Sequence, residues 1–423
     1  MGNYFSNITN KRIILVTGVI AYVIMLVFAV LFYKERIVMC DAAFQLHSIL
    51  THNDFAIQIN RFGAVITQVF PLLASKMDLP LQAVALSYSL SFIIFYFGVF
   101  LIILLGFKNE KMALVVLLFN TLMVRHSFFW IQCEFVQGAV FTLLYLAVVE
   151  HILKKEKVPG WFYLVSPLFL ITIIYFYPLL LFVMLFGLMF FMLLYKKKIK
   201  VLAILTIIYL TLFVVKYLYF NNYYDNSKMD TVSNIFSEFP HYLRLQSFQS
   251  FFQYVRNDYY LVFLFWAINT FYLLYTKRYL HTILMTAFFA GLIFLINVNY
   301  PQGFVQFYIE SQYLIISIFV AMPFAYMLLE KSRFRNVLVC VLIFSVGLSV
   351  LRINATGKTY TMRVAYIRNV LKSYNESTAI YYKNLDVEIL KFTWPFRFET
   401  WMLSSLENRK AIMLSDIEQK ENW

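Results

Sequence analysis

The stretch "IILVTGVIAYVIMLVFAVLFY", Ile13 to Tyr33, carries no charged residue and is followed directly by "KER". A helix of that length crosses a hydrocarbon layer about 30 Å thick. The run is too long for a signal-peptide core and no small-residue cleavage site follows, so it reads as a retained anchor. The same composition extends over the whole chain, which is 61% hydrophobic, 20% aromatic and only 14% charged. A soluble protein of 423 residues has no single core able to hide that much apolar surface. The expected fold class is an all-α polytopic membrane protein.

The net charge of +14 does not point to nucleic acid, because of how it is distributed. Basic residues recur in short clusters between apolar runs: "KR" at Lys11, "KNEK" at Lys108, "KKEK" at Lys154, "KKKIK" at Lys196, "KR" at Lys277 and "EKSRFR" around Lys331. The positive-inside rule puts all six on the cytoplasmic side. The apolar runs fall at residues 13–33, 83–106, 112–130, 135–153, 161–176, 179–195, 201–220, 259–276, 280–297, 313–329 and 336–351. That predicts about eleven transmembrane helices, with the N-terminus inside and the C-terminus outside. The expected location is a bacterial inner membrane, with the N-terminus cytoplasmic and the C-terminus periplasmic. Trp161 to Tyr195 is one apolar stretch, about 50 Å long as a single helix, and both flanks are basic. It must turn back on itself, and "YFYP", ending at Pro178, is its breaker.

Residues 1–351 form the expected transmembrane module, with outer loops near 34–82, 221–258 and 298–312. Residues 352–423 are rich in charge, and their apolar runs are too short to span. Their pattern predicts a helix from Tyr360 to Tyr374, a strand near "TAIYY", a helix near "FETWMLSSL" and a strand near "AIML". This would be a small C-terminal α/β extracytoplasmic appendage. The three cysteines have neither metal-ligand spacing nor disulfide-framework density, although Cys40 and Cys133 each precede an acid.

The first of those acids is Asp41, in "IVMCDAAFQLHSIL". Ala42, Ala43, Leu46, Ile49 and Leu50 share one helical face, with Gln45, Ser48 and His52 away from it. This predicts a short amphipathic helix on the outer interface. Asp41 is either its N-cap, worth about 1 kcal/mol, or a general base or metal ligand. Other polar groups fall at the same depth. They are Arg61 in "NRFG", Arg125 and His126 in "VRHSFF", Glu134 in "WIQCEFVQG", Arg256 in "YVRND", and Glu310 with Gln312 in "YIESQY". Singly, each reads as an interfacial anchor or a helix-end charge. Together they place acids and cations on one face. Cations there would stabilise a leaving phosphate, and a carboxylate would take the proton of an attacking hydroxyl. Neither G-x-x-x-x-G-K-[ST] nor a strand-flanked G-x-G-x-x-G is present, so an activated donor would arrive as a membrane lipid.

One long helix, then an outer loop opening with an acid and an amphipathic helix, resembles the GT-C integral-membrane glycosyltransferases. These include protein O-mannosyltransferases, lipid A aminoarabinose transferases and oligosaccharyltransferases. "CDAAFQLHSILTHNDF" is similar to their first-loop acid and helix, "CEFVQGAVFTLLYLA" to their second-loop acid, and "YIESQYLIISIFVAMPFAY" to their late outer loop. The similarity covers roughly residues 10–330. Ala42 stands where the family has a second acid, and Gln312–Tyr313 where it commonly has "RY".

The resemblance implies transfer of a sugar from a polyprenyl-phosphate donor to a glycan, lipid or protein acceptor. It makes Asp41 the general base or metal ligand and Glu134 the second catalytic acid. Arg61, Arg125, His126 and Arg256 would bind the donor phosphate, and Glu310 and Gln312 would serve the acceptor or late loop. A divalent metal ion, if one is used, would sit at Asp41 and Glu134. Membrane lipids are the other expected partners, and no nucleic acid is. The alternatives are a lipid or sugar transporter, for which internal repeats and midplane polar groups would be the mark, an O-antigen-type polymerase, and a structural subunit.

Overall fold

The computed structural model describes residues 2–131, 134–220, 222–230, 234–329, 335–407 and 410–416. The anchor is helix α1 (Gly2–Leu31), after which α2 (Tyr33–Ile37) carries the "KER" residues. Helix α3 (Cys40–His52) holds Asp41, and α4 (Val65–Lys76) leads into α5 (Leu81–Leu101). Next come α6 (Glu110–Phe119), α7 (Glu134–Leu153), α8 (Gly160–Ile174), α9 (Leu180–Leu194) and α10 (Ile199–Tyr219). Three short helices, α11 (Tyr223–Asp230), α12 (Asn234–Ser237) and α13 (Gln246–Tyr254), precede α14 (Tyr260–Tyr275) and α15 (Tyr279–Asn299). Helices α16 (Gln306–Tyr313) and α17 (Ile316–Pro323) run on to Leu328 as one buried stretch through the middle of the bundle. Last are α18 (Arg335–Leu371), strand β1 (Thr378–Ile380), α19 (Val387–Leu390), α20 (Phe396–Leu406) and strand β2 (Leu414–Asp416).

Seven stretches among the described residues are long and apolar enough to cross a membrane: Lys11–Leu31, Leu81–Gly106, Glu134–Leu153, Lys196–Tyr219, Tyr279–Asn299, Gln306–Leu328 and Arg335–Leu371. The protein is an all-α membrane protein by that measure. Helices α6, α8, α9 and α14 are shorter, at 10, 15, 15 and 16 residues. The Trp161–Tyr195 stretch breaks between Ile174 and Leu180, where Pro178 predicts it.

Three sequence expectations are corrected. The run 112–130 is not one helix, because α6 ends at Phe119 and residues 120–131 are irregular and largely buried. Buried irregular backbone needs internal partners. Here Glu310 accepts from the N–H groups of Arg125 and Ser127 and from the Ser127 hydroxyl, all at 2.8 Å. Arg36, from "KER", is itself buried and donates to the carbonyls of Phe128 at 2.8 Å and Ser89 at 2.9 Å.

Second, α3 does not lie open on an interface. Phe44 packs on Phe398 and His47 on Trp401, with ring centroids 4.8 Å and 4.6 Å apart, so α20 covers it. Gln45, assigned to the polar face, is buried and donates to the Ala56 carbonyl at 3.2 Å. Third, the expected helix Tyr360–Tyr374 is the far end of α18, which runs unbroken through residue 352. Gly357 lies there against the Phe32 ring, so close that a Cβ would sit 2.7 Å from Phe32 Cζ. Strands β1 and β2 form a two-stranded parallel sheet pairing Thr378 with Leu414 and Ile380 with Asp416.

Candidate functional site

Asp41 sits in the first turn of α3, whose N-cap position is Met39 and lacks a side-chain cap. Its carboxylate therefore does not cap the helix. It accepts instead from Trp130 Nε1 at 3.0 Å and opens into a cavity of about 110 Å3. The irregular backbone after α6 is what brings Trp130 there. Three other polar groups selected from the sequence line the same cavity: Arg61, Glu134 and Gln312. Arg61 Nη1 is 3.1 Å from Glu134 Oε2, and Arg61 Nη2 is 3.7 Å from Asp225 Oδ1. The guanidinium also lies over the rings of Tyr177 at 4.7 Å and Tyr224 at 5.2 Å.

The electrostatics divide the two ends of this cavity. Asp41 is pushed up to about 7, first by burial and then by the Glu134 charge, against the Trp130 N–H and Arg61, which pull it down. Asp41 is not fully covered, and it lines the cavity. A carboxyl poised near neutrality is suited to accept a proton. Arg61, by contrast, is a fixed cation held by two acids and two rings.

A second space, about 280 Å3, adjoins the first and shares Arg61, Tyr177, Tyr224 and Gln312 with it. Its remaining walls are mostly apolar, including Phe182, Phe213, Leu295 and Ile296. A third, a cleft of about 860 Å3, is lined by Met39, His126, Phe307 and Tyr360. Trp130 separates it from Asp41, packing on Phe307 and Tyr308 with centroids 5.3 Å from each.

The other residues selected from the sequence lie elsewhere. Glu310 is wholly buried, and its contacts hold the 125–127 backbone. Arg125 pairs with Asp258, and its Nε donates to Thr356 Oγ1 at 2.7 Å. His126 lines the 860 Å3 cleft, 3.2 Å from the Tyr360 hydroxyl, and burial with Arg125 beside it pushes its pKa down to about 3. Arg256 is exposed on a π-helical turn. Of the four cations expected at the donor phosphate, the cavity brings in Arg61 alone.

Sequence reasoning missed Asp225, Lys216 and Trp130. Lys216 Nζ is 2.5 Å from Asp225 Oδ2, completing a row from the partly exposed Glu134 through the buried Arg61 and Asp225 to Lys216. Lys216 did carry a signal, since it is a charge inside the apolar run "LFVVKYLY". Asp225 and Trp130 carried none.

No cluster of three metal-ligating side chains occurs among the described residues. Of the two acids proposed as ligands, Glu134 is already paired with the Arg61 guanidinium. These residues do not fit a dedicated divalent-metal site. Cys40 is a free, buried thiol, and Cys133 lies outside the described residues. No protein-family model matches the chain, and no curated protein or solved structure matches it.

Proposed function

We propose that this protein is a membrane glycosyltransferase of GT-C type. It would move a sugar from a polyprenyl-phosphate donor to an acceptor hydroxyl, at the end of the bundle that holds Asp41. The observation that carries this reading is the pairing of Asp41 and Arg61 in one cavity, a carboxyl poised near 7 facing a fixed guanidinium. In the proposed step the acceptor oxygen bonds to the anomeric carbon and its proton passes to Asp41. The bond from that carbon to the phosphate oxygen breaks, and its electron pair leaves on the phosphate. Arg61 offsets the charge that develops there. The adjoining apolar space, entered past Tyr177 and Tyr224, suits the first isoprene units of the donor. Glu134 holds Arg61 in place and raises the basicity of Asp41.

The finer topology belongs to the same proposal. Eleven crossings are reached if the short helices α6, α8, α9 and α14 pair inside the bundle as partial spans. The basic clusters then face the cytoplasm of a bacterium, and the C-terminal segment faces the periplasm. The row from Glu134 to Lys216 is the one feature that favours a transporter instead, since intramembrane charges often mark transport paths. One experiment separates the two. Purified protein is incubated with a radiolabelled polyprenyl-phosphate sugar and membrane extract as acceptor source, and free polyprenyl phosphate is measured. A glycosyltransferase releases it in a reaction that needs Asp41. A transporter leaves the donor intact.

A further inference from the structure

Residues 234–244 belong to a segment read from sequence as an outer loop in water. The structure holds them against the side of α15. The Tyr242 ring packs edge-on to Phe294, with centroids 4.8 Å apart, and the Asn234 side chain donates to the Val298 carbonyl at 3.3 Å. Helix α15 has 21 residues, about 31 Å at 1.5 Å each, which matches a hydrocarbon layer of about 30 Å. Its Asn299 end therefore lies at the layer's boundary, and Phe294 lies about 7 Å inside it.

Around those two contacts the segment leaves large apolar side chains exposed. Phe236 is 84% exposed, Phe239 69% and Leu243 74%. Its backbone closes its own turns, with Glu238 N bonded to Asn234 O, His241 N to Glu238 O, and Arg244 N to His241 O. Internal bonds of this kind lower the cost of placing backbone against lipid. Glu238, His241 and Arg244 set the limit of its depth, because they need headgroups or water.

We propose that residues 234–244 are a wedge inserted into the leaflet on the Asp41 side of the bundle, with lipid as its partner. This inference does not depend on the proposed enzyme activity. The same end of α15 lines the apolar space described above, with Leu295, Ile296 and Asn299 on a different face of the helix from Phe294.

The test places single tryptophans by Phe236→Trp and Leu243→Trp, both at exposed positions where a larger ring meets no core. Each variant is reconstituted in phosphatidylcholine vesicles brominated at the 6,7 or the 11,12 acyl positions. The parent protein in the same vesicles supplies the background. Tyr381→Trp is the aqueous control: it follows α18, whose 37 residues reach about 55 Å, well past any bilayer. The added emission at 236 and 243 is expected to fall strongly with the 6,7-bromolipid, less with the 11,12-bromolipid, and little with iodide. Emission quenched by iodide and untouched by either bromolipid, as at Tyr381→Trp, overturns the wedge and leaves this face to water or to another protein.

Discussion

The backbone N–H of Cys40 donates to the Glu399 carboxylate at 2.6 Å, across 359 positions of sequence. Glu399 therefore acts as the helix cap that α3 lacks locally. Arg363 completes the junction, bonding both Glu399 oxygens at 2.6 Å and the Val38 carbonyl at 2.8 Å. All of this is buried, and Cys40 is held there at a φ of 41°, in the left-handed region. The peptide just before Asp41 is thus fixed from above by the C-terminal segment.

Breaking that junction on one side leaves a buried charge unpaired. Glu399→Ala is expected to destabilise the protein by about 3–5 kcal/mol, as lone buried charges do. Replacing both partners, Arg363→Met with Glu399→Leu, removes the stranded charge and should recover much of that loss. Denaturation of Arg363→Met, Glu399→Leu and the double variant in detergent measures the coupling. Additive losses would mean that the two side chains do not act as a pair.

The same junction bears on truncation. An extracytoplasmic appendage beginning at residue 352 would be removable, but the cut falls inside α18 and takes Arg363 and Glu399 with it. Deleting residues 356–423 is expected to lower the melting temperature of the remaining helices and to expose Cys40, now buried, to thiol reagents. A truncated protein that melts like the parent and keeps Cys40 protected would show that α3 stands without its distant cap.

Asp41→Asn separates base from structure. Asparagine can still accept from Trp130, and no helix cap is lost because Asp41 provides none. At about pH 4, where Asp41 is protonated in both the folded and unfolded states, the melting temperature should stay near the parent, while sugar transfer at neutral pH falls at least about 100-fold, the lower range for losing a general base. Transfer close to the parent rate would remove Asp41 from the chemistry.

Proton linkage gives a second, activity-independent readout on Asp41. Its folded pKa, about 7, lies above the ordinary aspartate value of 3.8, so the folded state holds the proton more tightly than the unfolded one. The stability this confers is fully present below about pH 4 and is lost as pH rises to about 7. The melting temperature of Asp41→Asn, relative to the parent, should therefore rise across that window. Transfer by the parent should fall about tenfold per unit below about pH 7, as the base becomes protonated. A parent-minus-variant difference that is flat from pH 4 to 7 contradicts the raised value.

Arg61→Lys keeps a charge but loses the planar fork that spans Glu134 and Asp225. Arg61→Ala loses both, and Asp41 loses a cation that holds its pKa down. Transfer is expected to drop by about 100- to 1000-fold in Arg61→Ala, as when one charge-stabilising donor is removed. The acidic limb of its residual pH profile should move to higher pH. An unshifted limb with full loss of rate would limit Arg61 to binding the donor.

The sequence by itself determined the membrane class, the helix break before Leu180 at Pro178, the two C-terminal strands, and four of the ten residues around the Asp41 cavity. These are legible because lipid enforces them locally. Every backbone polar group must be satisfied within its own helix, so long apolar runs and their breakers can be read along the chain. Tertiary structure alone decided which of those polar residues meet. Glu310 and Glu134 look alike in sequence, each an acid at or near the head of an apolar helix. Folding turns Glu310 onto the 125–127 backbone and Glu134 onto Arg61. Tertiary structure also placed Trp130 on Asp41, by ending α6 early, and Glu399 on Cys40. A buried charge takes whichever partner packing brings within about 3 Å, and hydropathy along the chain carries no record of that choice.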